Sequence, residues 1–572
     1  VSKKVQKKGA SPVRPSAVAT DSAFDWGKHG IWIATGLAFF VFAFCLRNAM
    51  TGIDDHVSTV QNPAVAEFSW EKLSSGFNLG MYAPLTWLCY ALAYAIGGEN
   101  PFWFHLLSLI VHVANTALVY RLLQKLELRP GIVLPVAILF AIHPIQVESV
   151  AWIAGFSTPL YSMFCLLSFL FYLDYAADRP GRYRFYALAL AMFVLGCLAK
   201  SAAVTVPLTL VVLDWWRRPQ NLGRVQQWAA YAPFFLIALG FGLLTIHSRQ
   251  SSGMAVGATD NGFSLLERAM LVCYTPIFYW AKMLLPAKLN IYYSFEKGPD
   301  GLPWYYYAAP LLLAATGYAA WRYRRQAPYI WQGLLFFFSC VVVTLPFASL
   351  STFELRADHY NYLPCIGFFY LLVCAWGHFR SAYPQLGFLR PLGSGWILLM
   401  GILCLLQIRV WKDGITVLSN AIDNGYYQKG MMYFARGVAY GDAGRPMDGL
   451  PDFSRALEID PDMRDAYRFR GSINAQAGRL DEALADLRKY VSYDAEHAVT
   501  WYNLGQIYLR KNQLPEALDA FTKTIALKPE APSGYANRAK VYELMGDRER
   551  MLADQQKAQA LGANKNAPAQ PR

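Results

Sequence analysis

Hydrophobic residues run in long, nearly unbroken stretches through the first 410 positions, then switch to a shorter, interrupted rhythm. A helix needs about 20 mostly apolar residues to cross the hydrocarbon core of a bilayer. Stretches of that kind lie near 31–49, 102–123, 131–147, 157–175, 185–199, 202–215, 231–247, 305–322, 330–348, 361–377 and 392–409. The pattern predicts about eleven spanning helices. Two further apolar stretches, 81–97 and 268–285, are ambiguous. Basic clusters at Lys3–Lys8, Arg121–Arg129, Arg179–Arg184, Arg217–Arg224, Arg322–Arg325 and Arg380–Arg390 should all face the cytoplasm. They do so only if both ambiguous stretches begin and end on the outer side, as interfacial or re-entrant helices. The N-terminus is then inside and the C-terminus outside. The outer face receives 50–101, the turn at 143–157, 248–304 and 349–360, with Lys200 close to it.

After Trp411 the rhythm has a fixed period. Tyr433, Tyr467, Trp501 and Tyr535 are spaced by 34 residues, as are Gly437, Gly471, Gly505 and Ala539. Several positions keep one phase over four copies, which is the signature of the tetratricopeptide repeat, a helix–turn–helix solenoid unit. Its small residue lets two helices approach, and its aromatic residues fill the space between them. The predicted fold is therefore all-α. A basic N-terminal segment (1–28) leads into a membrane domain (29–411), a connecting helix (412–429), about four repeats (430–563) and a disordered tail (564–572). A solenoid of this kind implies a protein or peptide partner.

Composition sharpens this reading. Charged residues are 16% of the chain, well below the quarter usual for soluble domains, and roughly half of them follow Lys412. An ordinary soluble enzyme and a disordered protein are excluded. The net charge of +13 is explained by basic loops that orient membrane helices, so no nucleic-acid partner is implied. All nine cysteines lie in apolar segments without metal-ligand spacing and read as small buried hydrophobes. There is no phosphate loop and no His-Glu-x-x-His motif.

The polar residues that are hard to explain gather on the outer segments, where ionisable groups near a membrane point to function. Asp54 and Asp55 follow the first span directly; paired carboxylates suit general-base work, or one of them caps a helix. His143 and Glu148 stand where a span ends, and can position a hydroxyl or a phosphate or form a structural hydrogen bond. Lys200, isolated between two short spans, either snorkels or meets an anionic head group. Arg356, Asp358, His359, Tyr360 and Tyr362 form a polar cluster ahead of an apolar helix. Arginine suits bidentate phosphate recognition, unless Asp358 simply neutralises Arg356. The two aspartates can hold a divalent cation, but no full ligand set is evident.

At these residues the chain resembles the transmembrane and tetratricopeptide-repeat O-mannosyltransferases and their bacterial relatives, of the GT-C class. The resemblance is carried by Asp54-Asp55 with Asn62-Pro63, by Asn100-Pro101-Phe102 with His105 and His112, and by the stretch from His143-Pro144 to Gly155. Lys200, Asp214-Trp215, Pro286 with Leu289, and Ala357-Asp358-His359-Tyr360 with Tyr362-Leu363-Pro364 complete it. The chain departs from the family at Phe156, Ser157 and Thr158, where a basic residue and an acid are usual. Ala83 and His359 each replace an arginine, and Ser201 follows Lys200 in place of Glu or Pro.

The resemblance implies a polytopic GT-C fold with its active site on the non-cytoplasmic face. The donor would be a polyprenyl-phosphate-linked sugar and the acceptor a Ser or Thr hydroxyl of a protein. An inverting mechanism would take Asp54 or Asp55 as base. Lys200 and Arg356, assisted by His359, would hold the donor phosphate, with His143, Glu148, Asp358, Tyr360 and Tyr362 as supporting polar groups. The expected location is a bacterial inner membrane with periplasmic repeats, or the endoplasmic reticulum with lumenal ones. The rival expectations are a GT-C enzyme acting on an envelope lipid or polysaccharide, and a non-catalytic membrane scaffold. A transporter fits less well, because it would place charges at mid-membrane.

Overall fold

A computed structural model describes residues 26–75, 80–218, 225–251, 263–291, 293, 295–299, 301–346, 356–425 and 429–565. The basic N-terminal segment as far as Asp25, the residues 219–224 of one basic loop, 252–262 and 349–355 of the outer segments, and 566–572 lie outside them.

Each stretch predicted to span is largely helical over its described residues. Among the described residues, seven helices have both the length and the apolarity to cross a membrane: His29–Arg47, Pro101–Lys125, Ala154–Ala176, Arg182–Ala199, Val225–Ser251, Cys365–Ala382 and Pro384–Val410. An eighth is a bent pair, Pro130–Ile142 and Pro144–Ala151, which meet at 49°. The expected count of about eleven differs for local reasons. Pro144 has no N–H to continue the helix, and His143 before it is extended (φ −75°, ψ 137°). The stretch 202–215 divides into a 3-10 turn, Ser201–Thr205, and a helix, Val206–Arg217, of 12 residues. At 1.5 Å per residue that helix is about 18 Å long, short of the hydrocarbon core. Pro328–Val341 is 14 residues and ends in another 3-10 turn. Trp304–Arg322 has the length but opens with Tyr305, Tyr306 and Tyr307.

The ambiguous stretches are also helices, Pro84–Gly97 and Leu265–Leu284. The second begins at a capping box, where the Glu267 N–H donates to Ser264 Oγ and the Ser264 N–H donates to Glu267 Oε2. The first is wedged between the elements that build the site. Its Thr86 hydroxyl donates to the Ala199 carbonyl (2.8 Å) and its Tyr90 hydroxyl to that of Ile153 (2.5 Å).

One continuous apolar core runs through the membrane helices, from Phe42 and Phe104 through Phe140, Phe169 and Phe193 to Phe337 and Phe369. Several polar groups within it are paired: His112 Nδ1 lies 2.8 Å from the Tyr362 hydroxyl, and Asn115 Nδ2 donates to the Pro159 carbonyl (2.8 Å). Pro328–Val341 and Cys365–Ala382 touch backbone to backbone. A Cβ on Gly333 would stand 2.6 Å from the Gly367 carbonyl, and the reverse contact would be 2.5 Å. Small residues at such crossings are the usual device of membrane helix packing.

The C-terminal part is a right-through array of antiparallel helix pairs, beginning with Gly414–Asp423 and ending with Arg548–Lys565. Each first helix offers its small residue to a side chain 16 positions on; a Cβ at Gly505 would meet the Phe521 ring at 2.6 Å. Arginine–aspartate pairs tie the two helices of a unit, and the same arginine reaches back to the preceding one. Arg470 donates twice to Asp486, from Nε (2.8 Å) and Nη2 (2.7 Å), and once to Ser454 of the preceding unit (3.3 Å). Arg436–Asp452 and Arg538–Asp554 repeat the pattern. The array joins the membrane part tightly: Asn48 Nδ2 donates to the Trp411 carbonyl (3.0 Å) and the Ala49 N–H to that of Lys412 (2.9 Å).

Candidate active site

The site begins where the first span ends. Asp54 adopts a left-handed backbone conformation (φ 59°, ψ −9°) as the cap of a short helix, Asp55–Ser58. Aspartate tolerates this region better than most residues, at a cost of about 1 kcal/mol. The twist sends the two adjacent carboxylates to different tasks. Asp55 is fully buried; its Oδ2 accepts from the Thr51 N–H (2.7 Å) and hydroxyl (2.9 Å), and its Oδ1 from the Ala154 N–H (2.9 Å). It ties the first loop to the turn after the bent pair. Burial pushes its carboxyl up to about 6, against these hydrogen bonds, which pull it down. Asp54 is half-buried and its carboxylate makes no capping bond. Burial raises its pKa as well.

Trp152 links this loop to a second group of residues. Its indole N–H donates to the Ile53 carbonyl (2.8 Å), and its ring lies 6.2 Å from that of His359. Glu148, on the short helix Val147–Ala151, grips His359 twice. Oε1 lies 2.8 Å from Nδ1, and Oε2 accepts the His359 backbone N–H (3.0 Å). Burial, and then the charge of Lys200, hold the imidazole far below its usual pKa. His359 is thus a neutral ring held with Nδ1 against the Glu148 carboxyl.

Lys200 sits in an extended break (φ −161°, ψ 133°) between the helix Arg182–Ala199 and the turn Ser201–Thr205. Its ammonium donates to Thr158 Oγ1 (2.8 Å). Arg356 is placed differently. Its guanidinium lies between the rings of Phe278 (4.2 Å) and Phe295 (4.3 Å), with Tyr274 at 5.3 Å, and it is 4% exposed. This aromatic cage holds the segment against Leu265–Leu284 by cation–π contact. Asp358 accepts from the Tyr293 hydroxyl (3.0 and 3.1 Å). Burial, then the neighbouring Glu148 charge, raise its pKa, and Lys282 opposes them. Lys282 itself donates to the carbonyls of Ala287 and Lys288 and lies over the Phe278 and Tyr293 rings.

The structure thus brings Asp54, Asp55, Glu148, Lys200, Asp358 and His359 into one connected group, with the Tyr360 ring 4.4 Å from that of His359. It sets His143 and Tyr362 into the packing instead. His143 accepts the Ile145 N–H at Nδ1 and donates from Nε2 to the Met283 carbonyl (2.9 Å), against the Phe369 ring. The Tyr362 hydroxyl serves His112 and Asn115. Sequence reasoning does not single out Trp152, Tyr293 and Lys282, and it notes Thr158 only as a departure from the family pattern. Lys282 carries the signal that selects Lys200, a lone lysine in an apolar stretch. Among the described residues no three His, Cys, Asp or Glu side chains are grouped to hold a metal ion.

Three comparisons relate this chain to known proteins. The tetratricopeptide-repeat family models match residues 434–499 and 498–530. The chain is 29% identical over 248 residues to Protein O-mannosyl-transferase Tmtc2 of Drosophila melanogaster, a match covering 41% of this chain and 26% of that protein. It is 32% identical over 182 residues to Protein O-mannosyl-transferase TMTC1 of Homo sapiens (28% and 21% covered). With Protein O-mannosyl-transferase F38B6.6 of Caenorhabditis elegans it shares 23% over 287 residues (48% and 40% covered). The chain therefore spans between 21% and 40% of the length of these relatives. The resemblance to repeat-bearing O-mannosyltransferases is real and partial. Among solved structures, MamA overlays with a TM-score of 0.26 at 23% identity, covering 27% of this chain and 88% of that one. YrrB, described as a TPR protein with an unusual peptide-binding site, overlays with a TM-score of 0.25 at 18% identity, covering 26% and 77%.

Proposed function

We propose that this protein is an integral membrane glycosyltransferase that moves a sugar from a polyprenyl-phosphate carrier to a Ser or Thr hydroxyl of a protein, on the non-cytoplasmic face. The observation that carries the reading is the division of labour at the aspartate pair. Asp55 is bonded into the fold on both oxygens, while the left-handed turn sets Asp54 beside it without a capping bond. A base held by a neighbour but not consumed by the fold is what deprotonation of an acceptor hydroxyl requires.

In a single displacement, the acceptor oxygen attacks the anomeric carbon as Asp54 takes its proton. The bond from that carbon to the carrier phosphate oxygen breaks, and the polyprenyl phosphate leaves with the electron pair. Negative charge develops on the leaving oxygen, where a fixed ammonium is most effective. Lys200, oriented by Thr158, is the residue assigned to it. Glu148 and the neutral His359 position the segment 358–362 rather than supply charge. Arg356 orders the same segment through its aromatic cage. The repeats recruit the acceptor, a role supported by the family matches to the array.

The test is glycopeptide mass spectrometry on membranes bearing the wild type, a deletion or Asp54→Asn at matched levels. A hexose mass on Ser or Thr that vanishes in the deletion and falls about 10²–10⁴-fold in Asp54→Asn supports the reading. An unchanged glycan profile in the deletion refutes it.

A further inference from the structure

At the far end of the helices that carry the site lies a second polar feature with no part in that chemistry. The helix Ser157–Ala176 starts at Thr158, which touches Lys200, and ends at a cavity of about 650 Å³ lined by Leu173, Asp174 and Ala176. Twenty residues at 1.5 Å each put the cavity about 30 Å from the site, the thickness of a bilayer core. The remaining walls come from the ends of Pro101–Lys125 and Val206–Arg217. Its depth along three apolar helices is that of lipid head groups.

The lining is rich in charge and uneven in sign. Arg121, Lys125, Arg179, Arg217 and Arg218 face Glu127, Asp174 and Asp178, an excess of two positive charges. The cations are presented in two ways. Arg218 is fixed: its Nη2 donates to buried Asp214 (2.8 Å), which also accepts from the hydroxyls of Tyr172 (3.1 Å) and Tyr231 (2.6 Å). Lys125 and Arg179 share Asp174. Arg217 pairs with Glu127 (2.6 Å), whose side chain is 73% exposed, and Arg121 donates to Gln124 Oε1 (3.2 Å). Exposed pairs are worth about 0–1 kcal/mol, so these arginines can turn to a better anion at little cost. Three helix C-termini also end here, and their partial negative charge explains one cation apiece, not five.

We propose that this cavity seats the phosphate of an anionic membrane phospholipid. The phosphate meets the fixed Arg218 and recruits Arg121 and Arg217 from their exposed partners, while the acyl chains lie along the apolar helices above. Basic pockets between membrane helices are suited to such head groups. The site is independent of the glycosyltransferase reading.

The experiment is native mass spectrometry of the full-length protein released from vesicles of equal phosphatidylglycerol and phosphatidylcholine. The wild type should retain phosphatidylglycerol preferentially. Arg121→Gln with Arg217→Gln should weaken that retention about fivefold per removed cation. Glu127→Gln, which raises the local charge, should strengthen it, and this gain of binding cannot arise from misfolding. A parallel arm adds inorganic phosphate to lipid-depleted protein and follows thermal unfolding. Three results would overturn the proposal: equal retention of the two lipids, retention indifferent to Glu127→Gln, or full protection by inorganic phosphate with no lipid preference, which would make the ligand a soluble anion.

Discussion

The repeats provide a sharp quantitative test, because the sequence contains its own control. Arg470 and Asp486 form a bidentate pair whose side chains are 25% and 7% exposed. Arg436–Asp452 and Arg538–Asp554 are equivalent. In the unit between, the same two positions hold Leu504 and Ala520, both 1% exposed. The fold thus accepts an apolar solution where it elsewhere uses an ionic one. Arg470→Leu leaves the Asp486 carboxylate buried without its two donors. Breaking a buried pair from one side costs about 3–5 kcal/mol. Arg470→Leu with Asp486→Ala removes the stranded charge and copies the third unit, so the cost should fall to about 1 kcal/mol or less. The coupling energy is the difference, at least about 2 kcal/mol. Hydrogen exchange of the full-length protein in detergent, read on peptides from Arg464–Gln476 and Leu480–Tyr493, gives the local opening free energy of this unit. Arg470→Leu should lower protection there by two to three decades, and the double variant should restore most of it. A double variant as unprotected as the single one would refute the argument that the stranded carboxylate, rather than the lost arginine, is the damage.

Three further outcomes follow from the site and the packing. Asp55 is raised from 3.8 to about 6 by burial, so protonation favours the folded state. Its stabilising contribution is fully present below about pH 4 and is lost as pH rises through about 6; a thermal-shift profile of Asp55→Asn should lack this step, and an identical profile would place the titration elsewhere. Lys200→Gln keeps a donor for Thr158 but removes the charge; transfer should fall on the order of 10²-fold at saturating acceptor, with thermal stability near wild type. Gly333→Val forces a side chain into the Gly367 carbonyl and should cost about 1–3 kcal/mol of stability, measured by thermal unfolding in detergent.

Much of the fold is legible in sequence because it is local. Hydrophobic continuity marks each membrane helix, and a 34-residue phase marks the repeats. The number of crossings is less legible. It depends on where a helix breaks, as at His143-Pro144 and at Lys200, and an apolar run does not record its own breaks. The site follows the same rule. Unusual polar residues in outer segments point to Asp54, Glu148, Lys200 and the 356–362 stretch. Their roles depend on partners far away in the chain. Asp54 and Asp55 are identical and adjacent, and they are separated in function by a backbone angle and by an N–H from Ala154, 99 residues on. Arg356 lies between Phe278 and Phe295, neighbours that its own stretch of sequence does not show. The pairing of His359 with Glu148 joins residues 211 positions apart.

The joint at Asn48–Trp411 and Ala49–Lys412 has a mechanical meaning. Gly414, at the start of the first solenoid helix, leaves no room for a Cβ against the carbonyl of Thr51, the residue whose N–H and hydroxyl hold Asp55. The first helix of the array is therefore held directly against the aspartate loop. A polypeptide gripped along the repeats acts through a short lever whose fulcrum is Trp411, and any tilt of the array strains the anchor of the neighbouring carboxylate before it reaches the rest of the membrane domain.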